Sequence, residues 1–368
     1  MNRIAQMEPW FGEEEKRAVA EYMDSGGWIT EFKKTQEFEE VIAAYVGSKH
    51  CIVTTNGTIA IVLMLLAAGI EPGDEVIVPD YTMIASANAV RLVGAVPVLV
   101  DVDPENFCVD LELAERAITS RTRALMVVSI NGRAPDMSAA LDLCRRRGIV
   151  LVEDAAQSLG SRQRGKHLGT FGAVGSFSFS TPKVISTGQG GAIVTDADKI
   201  AERARLIKDF GRSRPGVDHH ILQGYNFKFT DIQAVIGLEQ MKKLDWRVQR
   251  KKDIFRLYQS KLASIAAMRF PRTNLDDTSP WFIDVVVPEK DRDPLMSSLK
   301  SNGVGTRPFY PAIHSQAPYR STPGEFPAAT RTSLCGIWLP SSSFLTDEQL
   351  DGVCSQLRKY AFTRDGRQ

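Results

Sequence analysis

The chain has 368 residues, a formal net charge of +1, 43% hydrophobic residues and 24% charged ones. That length accommodates a large domain and a smaller one around a substantial core, and the balanced charge argues against nucleic acid or a membrane as a partner. The five cysteines (Cys51, Cys108, Cys144, Cys335, Cys354) form no CxxC pair and the five histidines no HExxH spacing, so reduced thiols and no metal site are expected.

In chain order, the first residues lack the apolar stretch of a secretory signal, which points to the cytoplasm. Gly12 to Met23 reads as an amphipathic helix. Strand and helix signals then alternate. Cys51 to Thr55, Glu75 to Pro79, Val96 to Val102, Ala124 to Ile130 and Ile149 to Glu153 read as strands. Thr58 to Ala68, Ile84 to Val93, Leu111 to Ile118 and Ser138 to Arg147 read as helices. The longest apolar stretch, Ile59 to Ile70, is too short to span a bilayer. Continuous β-branched runs between amphipathic helices predict an α/β fold with a mostly parallel sheet covered on both faces. From about Thr230 the pattern changes to helices over Asp231 to Lys243 and Val248 to Ala263, a strand over Trp281 to Val287, and helices over Pro294 to Asn302 and Asp347 to Tyr360. We therefore expect a large domain over residues 1–245, including the N-terminal helix, and a smaller α+β domain over 246–368.

In open parallel sheets ligands bind beyond the carboxyl ends of the strands. Three groups of polar residues fall there: Asn56-Gly57-Thr58, Ser129 to Gly132, and Asp154. Gly57 and Thr58 open a helix, where backbone amides and a hydroxyl attract a phosphate; the same tripeptide is also a common capping device. Asp154 closes an apolar strand, where a carboxylate suits a protonated ring nitrogen. It also suits a helix cap, and one of Glu153 and Asp154 must point away. Gln157 lies within reach of a phenolate oxygen on the same ring. Ser178 is a second phosphate candidate, although Ser176 and Ser178 also fit simple strand alternation. Lys183 follows Pro182 and precedes Gly188, Gly190 and Gly191, whose flexibility lets backbone approach a ligand closely. A lysine, an acid, hydroxyls and a helix N-terminus together are what a pyridoxal phosphate enzyme requires.

The runs Glu153-Asp-Ala-Ala-Gln157-Ser-Leu-Gly160, Gly165 to Gly172, Ser176-Phe-Ser-Phe, Lys183 and Thr187-Gly-Gln-Gly-Gly191 resemble the DegT/DnrJ/EryC1/StrS family of sugar aminotransferases. The likeness continues through Asn56-Gly57-Thr58, Gly73 to Pro79, Gly224 to Gly237 and Arg307-Pro-Phe-Tyr-Pro-Ala-Ile-His314, nearly the whole chain. It is strongest to the perosamine-forming members, which aminate C4 of a GDP-linked 4-keto-6-deoxyhexose for bacterial O-antigen.

The resemblance implies an aspartate aminotransferase-like, fold type I architecture with a mostly parallel seven-stranded sheet. The cofactor would be pyridoxal 5'-phosphate, cycling through pyridoxamine 5'-phosphate, with a nucleotide sugar as substrate and glutamate as donor. Lys183 would carry the cofactor as a Schiff base and move the proton. Asp154 would hold the ring nitrogen, Gln157 the ring oxygen, and Gly57, Thr58 and Ser178 the phosphate. Asn226 matches an asparagine that reaches the neighbouring subunit's cofactor. A homodimer with a shared site, or a tetramer of such dimers, is therefore expected. His314 matches a histidine near the sugar.

Two departures mark the substrate side. Met83 stands where an aromatic residue commonly stacks on the ring, with Tyr81 as a possible substitute. Ser129-Ile-Asn131-Gly132-Arg133 replaces a usual His-Leu-Tyr-Gly, which makes Ser129, Asn131 and Arg133 substrate-side candidates. Alternatives are a 3-keto-sugar, a UDP- or dTDP-linked sugar or a cyclitol as substrate, and a non-catalytic regulatory homologue. The intact Lys183, Asp154, Ser178 and Thr58 argue against the last of these.

Overall fold

The structure is a computed structural model and describes residues 3–362. Seven strands form the central sheet: β1 (His50–Thr54), β2 (Glu75–Pro79), β3 (Val96–Val100), β4 (Thr122–Val128), β5 (Val150–Asp154), β8 (Val174–Ser178) and β9 (Gly191–Thr195), in the order β1-β9-β8-β5-β4-β2-β3. A short hairpin of β6 (Arg162–Gln163) and β7 (Lys166–His167) lies outside it. The β8-β5-β4-β2-β3 block is parallel, and β9 runs antiparallel to both β1 and β8. Two successive reversals leave β1 running the same way as β8. The carboxyl ends of β1, β2, β4, β5 and β8 therefore share one edge, so residues up to 124 positions apart in sequence, such as Thr54 and Ser178, end together.

The strands form because their side chains are buried on both faces, as β-branched runs require. All five residues of β2 and of β9 are buried. One face packs on the helix Gly57–Ala67, whose Ala60, Ile61, Val62, Leu63, Met64 and Leu65 are all buried between sheet and helices. The other face packs Phe38, Phe177, Phe179 and Phe229 together.

The smaller unit has a three-stranded antiparallel sheet of β10 (Ile283–Val286), β12 (Gly336–Leu339) and β11 (Arg307–Pro308). Ile254, Tyr258, Leu295 and Leu350 build its core. The helix Leu244–Leu262 joins the two parts: Leu244 packs in the large-domain core and Ile254 in the small one. The N-terminal segment is divided in the same way. Ile4 pairs with Val304 in the small unit, whereas the helix Glu13–Asp24 packs on Asp231–Lys242.

Helices Lys33–Val46, Asp198–Lys208 and Pro327–Cys335 lie where the sequence reading placed none. The helix expected from Pro294 begins at Glu289, with Pro294 inside it. No helix among the described residues is long and apolar enough to cross a membrane.

Candidate active site

The shared strand edge opens into a cleft of about 640 Å³ lined by Gly57, Thr58, Met83, Asp154, Gln157, Ser178 and Lys183, with Trp281, Arg307 and Tyr310 from the small unit. A larger groove of about 880 Å³ between helices near Tyr22, Val41 and Leu238 contains none of these groups.

At the start of the helix Gly57–Ala67, Asn56 accepts from the amide of Ile59 through its side chain and from that of Ala60 through its carbonyl. The Gly57 and Thr58 amides have no partner within the helix and face the cleft end, the arrangement that binds anions. Gly57 is required by contact: a Cβ there would sit 2.7 Å from Ser178 Cβ and 2.8 Å from its Oγ. Helix start and β8 hydroxyl are thus pressed together into one cradle.

Asp154 and Glu153 divide as strand alternation demands. Glu153 turns to the opposite face and accepts from the amides of Gly169 and Gly172, each at 2.7 Å. Asp154 faces the cleft, accepting from Ser86 Oγ at 2.7 Å and the Ala156 amide at 3.2 Å. Burial pushes its carboxyl above the usual range, opposed by these two donors and by the charge of Lys183. A buried carboxylate so placed gains from a cationic partner such as a protonated ring nitrogen.

Lys183 lies in the loop between β8 and β9, in a turn closed by its amide on Ser180 O at 2.9 Å. The residue as a whole is half-buried, but its Nζ end is enclosed 3.9 Å above the Trp281 ring. Burial pulls its pKa down to about 8, against the raising effect of Asp154. Trp281 also donates from Nε1 to Pro182 O at 2.6 Å, tying down the loop just before the lysine. The buried Lys251 in turn donates to Trp281 O at 2.8 Å.

Gln157 is buried and accepts the Asn131 amide on Oε1 at 2.8 Å. Met83 is exposed on the cleft wall, its sulfur accepting from the Ala85 amide. Tyr81 does not reach the cleft. It is buried against Phe107 and Phe309, and so cannot replace the missing stacking aromatic.

The remaining candidates lie elsewhere. Ser129, Asn131 and Arg133 were expected on the substrate side, but they are buried behind the cleft wall, where Arg133 and Asn131 both bond Asp284. Arg133 directs its donors to Asp284, Asn106 O and Thr273 and does not line this cleft. His314 pairs through Nδ1 with the fully buried Asp80 at 2.6 Å and stacks on Phe326, beside the cleft but not lining it. Asn226 is exposed, opposite Asp209 in a short bridge, and does not line its own chain's cleft.

Sequence reasoning missed Trp281 and Tyr310 as cleft residues, and Ser86 as the buried donor that holds Asp154. Ser86 and Trp281 act through contacts 68 and 99 positions away, which no local pattern announces.

The residues present fit pyridoxal phosphate. An anion cradle, a buried carboxylate, an amide and a lysine of lowered pKa surround one cavity, and no cluster among the described residues could hold a metal instead.

Residues 9–358 match the DegT/DnrJ/EryC1/StrS aminotransferase family. The chain is 34% identical to GDP-perosamine synthase of Vibrio cholerae, covering 96% of this chain and 98% of that protein. It is 36% identical to GDP-perosamine synthase of Caulobacter vibrioides, covering 96% and 97%. Among solved structures, S. venezuelae DesV superposes with a TM-score of 0.92 at 33% identity, over 99% of this chain and 100% of that one. The PMP-form structure of Spr1654 from Streptococcus pneumoniae gives 0.91 at 26% identity, over 96% of each. The fold is accordingly fold type I, and the chain belongs to the DegT/DnrJ/EryC1/StrS aminotransferase family as a pyridoxal phosphate-dependent aminotransferase.

Proposed function

We propose that the enzyme transfers the amino group of glutamate to C4 of a nucleotide-linked 4-keto-6-deoxyhexose, GDP-4-keto-6-deoxymannose, in bacterial O-antigen synthesis. The observation that carries the reaction type is the convergence of Lys183, Asp154 and the Gly57–Ser178 cradle on one cleft. The substrate reading rests on full-length likeness to GDP-perosamine synthases at 33–36% identity. Bound cofactor supplies an electron sink that carries the amino group between the donor and acceptor half-reactions.

This chain's residues divide the remaining work. Gly57, Thr58 and Ser178 hold the phosphate, Asp154 keeps the ring nitrogen protonated, and Gln157 donates to the ring oxygen. Met83 packs on the ring as a polarizable thioether. Lys183 moves the proton at the reacting carbon, and its lowered pKa keeps a useful share of free amine near neutral pH. Arg307, exposed at the rim, offers a cation to the anionic donor or diphosphate. His314, with Nδ1 held by Asp80, serves the sugar from outside the cleft lining.

Asn226 completes the phosphate site of a second copy in a homodimer. The exposed Phe210 and Tyr225, adjoining Asn226 through the Asp209–Asn226 bridge, support this, because exposed large apolar residues call for a partner surface. The expected location is the cytoplasm.

A second reading is a cyclic ketone without a nucleotide, supported by a TM-score of 0.91 to 3-amino-5-hydroxybenzoic acid synthase at 27% identity. The test is a panel of GDP-, UDP- and dTDP-linked 3- and 4-keto-6-deoxyhexoses and cyclitol ketones, with glutamate or glutamine, monitored by 2-oxo acid release. The GDP-4-keto sugar should exceed the others in kcat/KM by at least about tenfold. A preference for any other member would replace this substrate with that one.

A further inference from the structure

The Gln157 side-chain amide has nearly the same shape in two orientations 180° apart. One presents an NH₂ donor to the cleft and the other a carbonyl acceptor. Only the donor suits an anionic ring oxygen, so the orientation must be imposed by a neighbour. The neighbour is the backbone amide of Asn131, 2.8 Å from Gln157 Oε1. A backbone N–H can only donate, so it holds the oxygen away from the cleft and leaves the nitrogen for it.

The Asn131 amide is not placed by ordinary chain geometry. Asn131 has φ 49° and ψ 34°, left-handed backbone that a non-glycine residue adopts at a cost. Gly132 follows at φ 82°, so tightly packed that a Cβ on it would meet Ser279 O at 2.2 Å. Backbone bonds from the Gly132 amide to Ser129 O at 3.1 Å and from the Arg133 amide to Ile130 O at 3.0 Å close the turn, and a side-chain anchor ties it to the small unit. Asn131 Nδ2 donates to Asp284 Oδ2 at 2.8 Å. Asp284 stands on β10 of the small unit, and Arg133 grips it through both terminal nitrogens, at 3.1 and 2.6 Å. The ion pair is almost completely buried, with the two side chains 3% and 1% exposed.

We infer that Asn131 and Asp284 are positioning residues that fix the Gln157 amide as a donor to the cofactor's ring oxygen, so that a small-domain carboxylate sets the electronics of a large-domain site. This rests on the reading of Gln157 as the ring-oxygen contact. It assigns the Ser129–Arg133 segment a role toward the cofactor in place of the expected sugar contact. It also accounts for a buried ion pair whose stabilising contribution alone is a weak reason to keep it.

The test is the pH midpoint of the bound cofactor's visible absorption, read without turnover. A donor to the ring oxygen stabilises its anion and lowers that midpoint. Gln157→Met should raise it by about one to two pH units, the size of one charge-assisted hydrogen bond. Arg133→Met combined with Asp284→Leu removes both buried charges together, so no unpaired ion is left to unfold the protein. It should raise the midpoint comparably and add nothing further when combined with Gln157→Met.

Asn131→Ala, which leaves the ion pair intact, should give the same rise. Asn131→Gly, which reaches left-handed backbone without the anchor, should return the midpoint to the wild-type value. An unmoved midpoint in Gln157→Met overturns the ring-oxygen contact itself. A shifted Gln157→Met with wild-type midpoints in the loaded Arg133→Met/Asp284→Leu and Asn131→Ala proteins overturns the positioning role alone. Additive shifts overturn it as well.

Discussion

At the residue scale the chemistry turns on the titration of Lys183. Enclosure of Nζ disfavours the ammonium and brings the pKa from 10.5 down to about 8, while Asp154 acts in the other direction. The free amine is the form that reacts with a carbonyl. The rate at which apoenzyme takes up pyridoxal phosphate should therefore rise with pH to a midpoint near 8, followed by stopped-flow absorbance. Asp154→Asn removes the charge that favours the ammonium, so its midpoint should fall below that of the wild type. A midpoint near 10, or an upward shift in Asp154→Asn, would contradict the assignment. Lys183 was legible in sequence because Pro182 and the glycines after it form a local pattern. Ser86 and Trp281 were not, since each earns its place only through a contact that folding creates. Met83 was legible as a departure, and Tyr81 was excluded as its substitute only once its burial against Phe107 was visible.

At the scale of elements, legibility followed the strength of the periodic signal. β2 was recovered with its observed bounds because five consecutive buried residues leave no ambiguity. The helix Lys33–Val46 was overlooked although Phe38, Ile42 and Val46 are spaced by four and Gly47 closes it in left-handed backbone. Its many charged residues masked a narrow buried stripe. Ser178 reads as a phosphate candidate against simple alternation of Ser176 and Ser178 in a half-exposed strand; β8 is central, Ser176 is fully buried, and only Ser178 meets the cleft. The contact between β8 and the start of the helix Gly57–Ala67 is where these elements make function. Gly57→Ala would place a methyl 2.7 Å from Ser178 Cβ. Overpacking of this kind costs about 1–3 kcal/mol, which here falls on the phosphate cradle and not on the core. Cofactor affinity, measured by titrating apoenzyme, should fall by about tenfold or more. The uptake midpoint near 8 should stay in place, because the surroundings of Lys183 are unchanged. Unaltered affinity would show that the cradle is looser than its contacts imply.

At the scale of the whole molecule, the sequence could predict a sheet and its covering helices but not which remote residues would meet. The tie between Arg133 and Asp284 spans 151 positions and crosses between the two units, and it leaves Ser129, Asn131 and Arg133 buried. Asn226 poses the converse case: it is exposed and lies away from its own chain's cleft. If it serves a second copy, each complete site needs Lys183 from one chain and Asn226 from the other. Lys183→Ala and Asn226→Ala homodimers should then both be impaired, the first by at least about 10²-fold through loss of the proton-transfer group. Subunits exchanged at equal concentration would form heterodimers in which one site carries both defects and the other carries neither. Random pairing makes about half the dimers heterodimers with one intact site of two, so activity should recover to about a quarter of wild type. The readout is 2-oxo acid release after unfolding and refolding the mixture, against each variant treated alone. Recovery is possible only if residues of two chains meet at one cofactor. A site complete within one chain yields no more than the average of the separate variants, and that result would remove Asn226 from the active site.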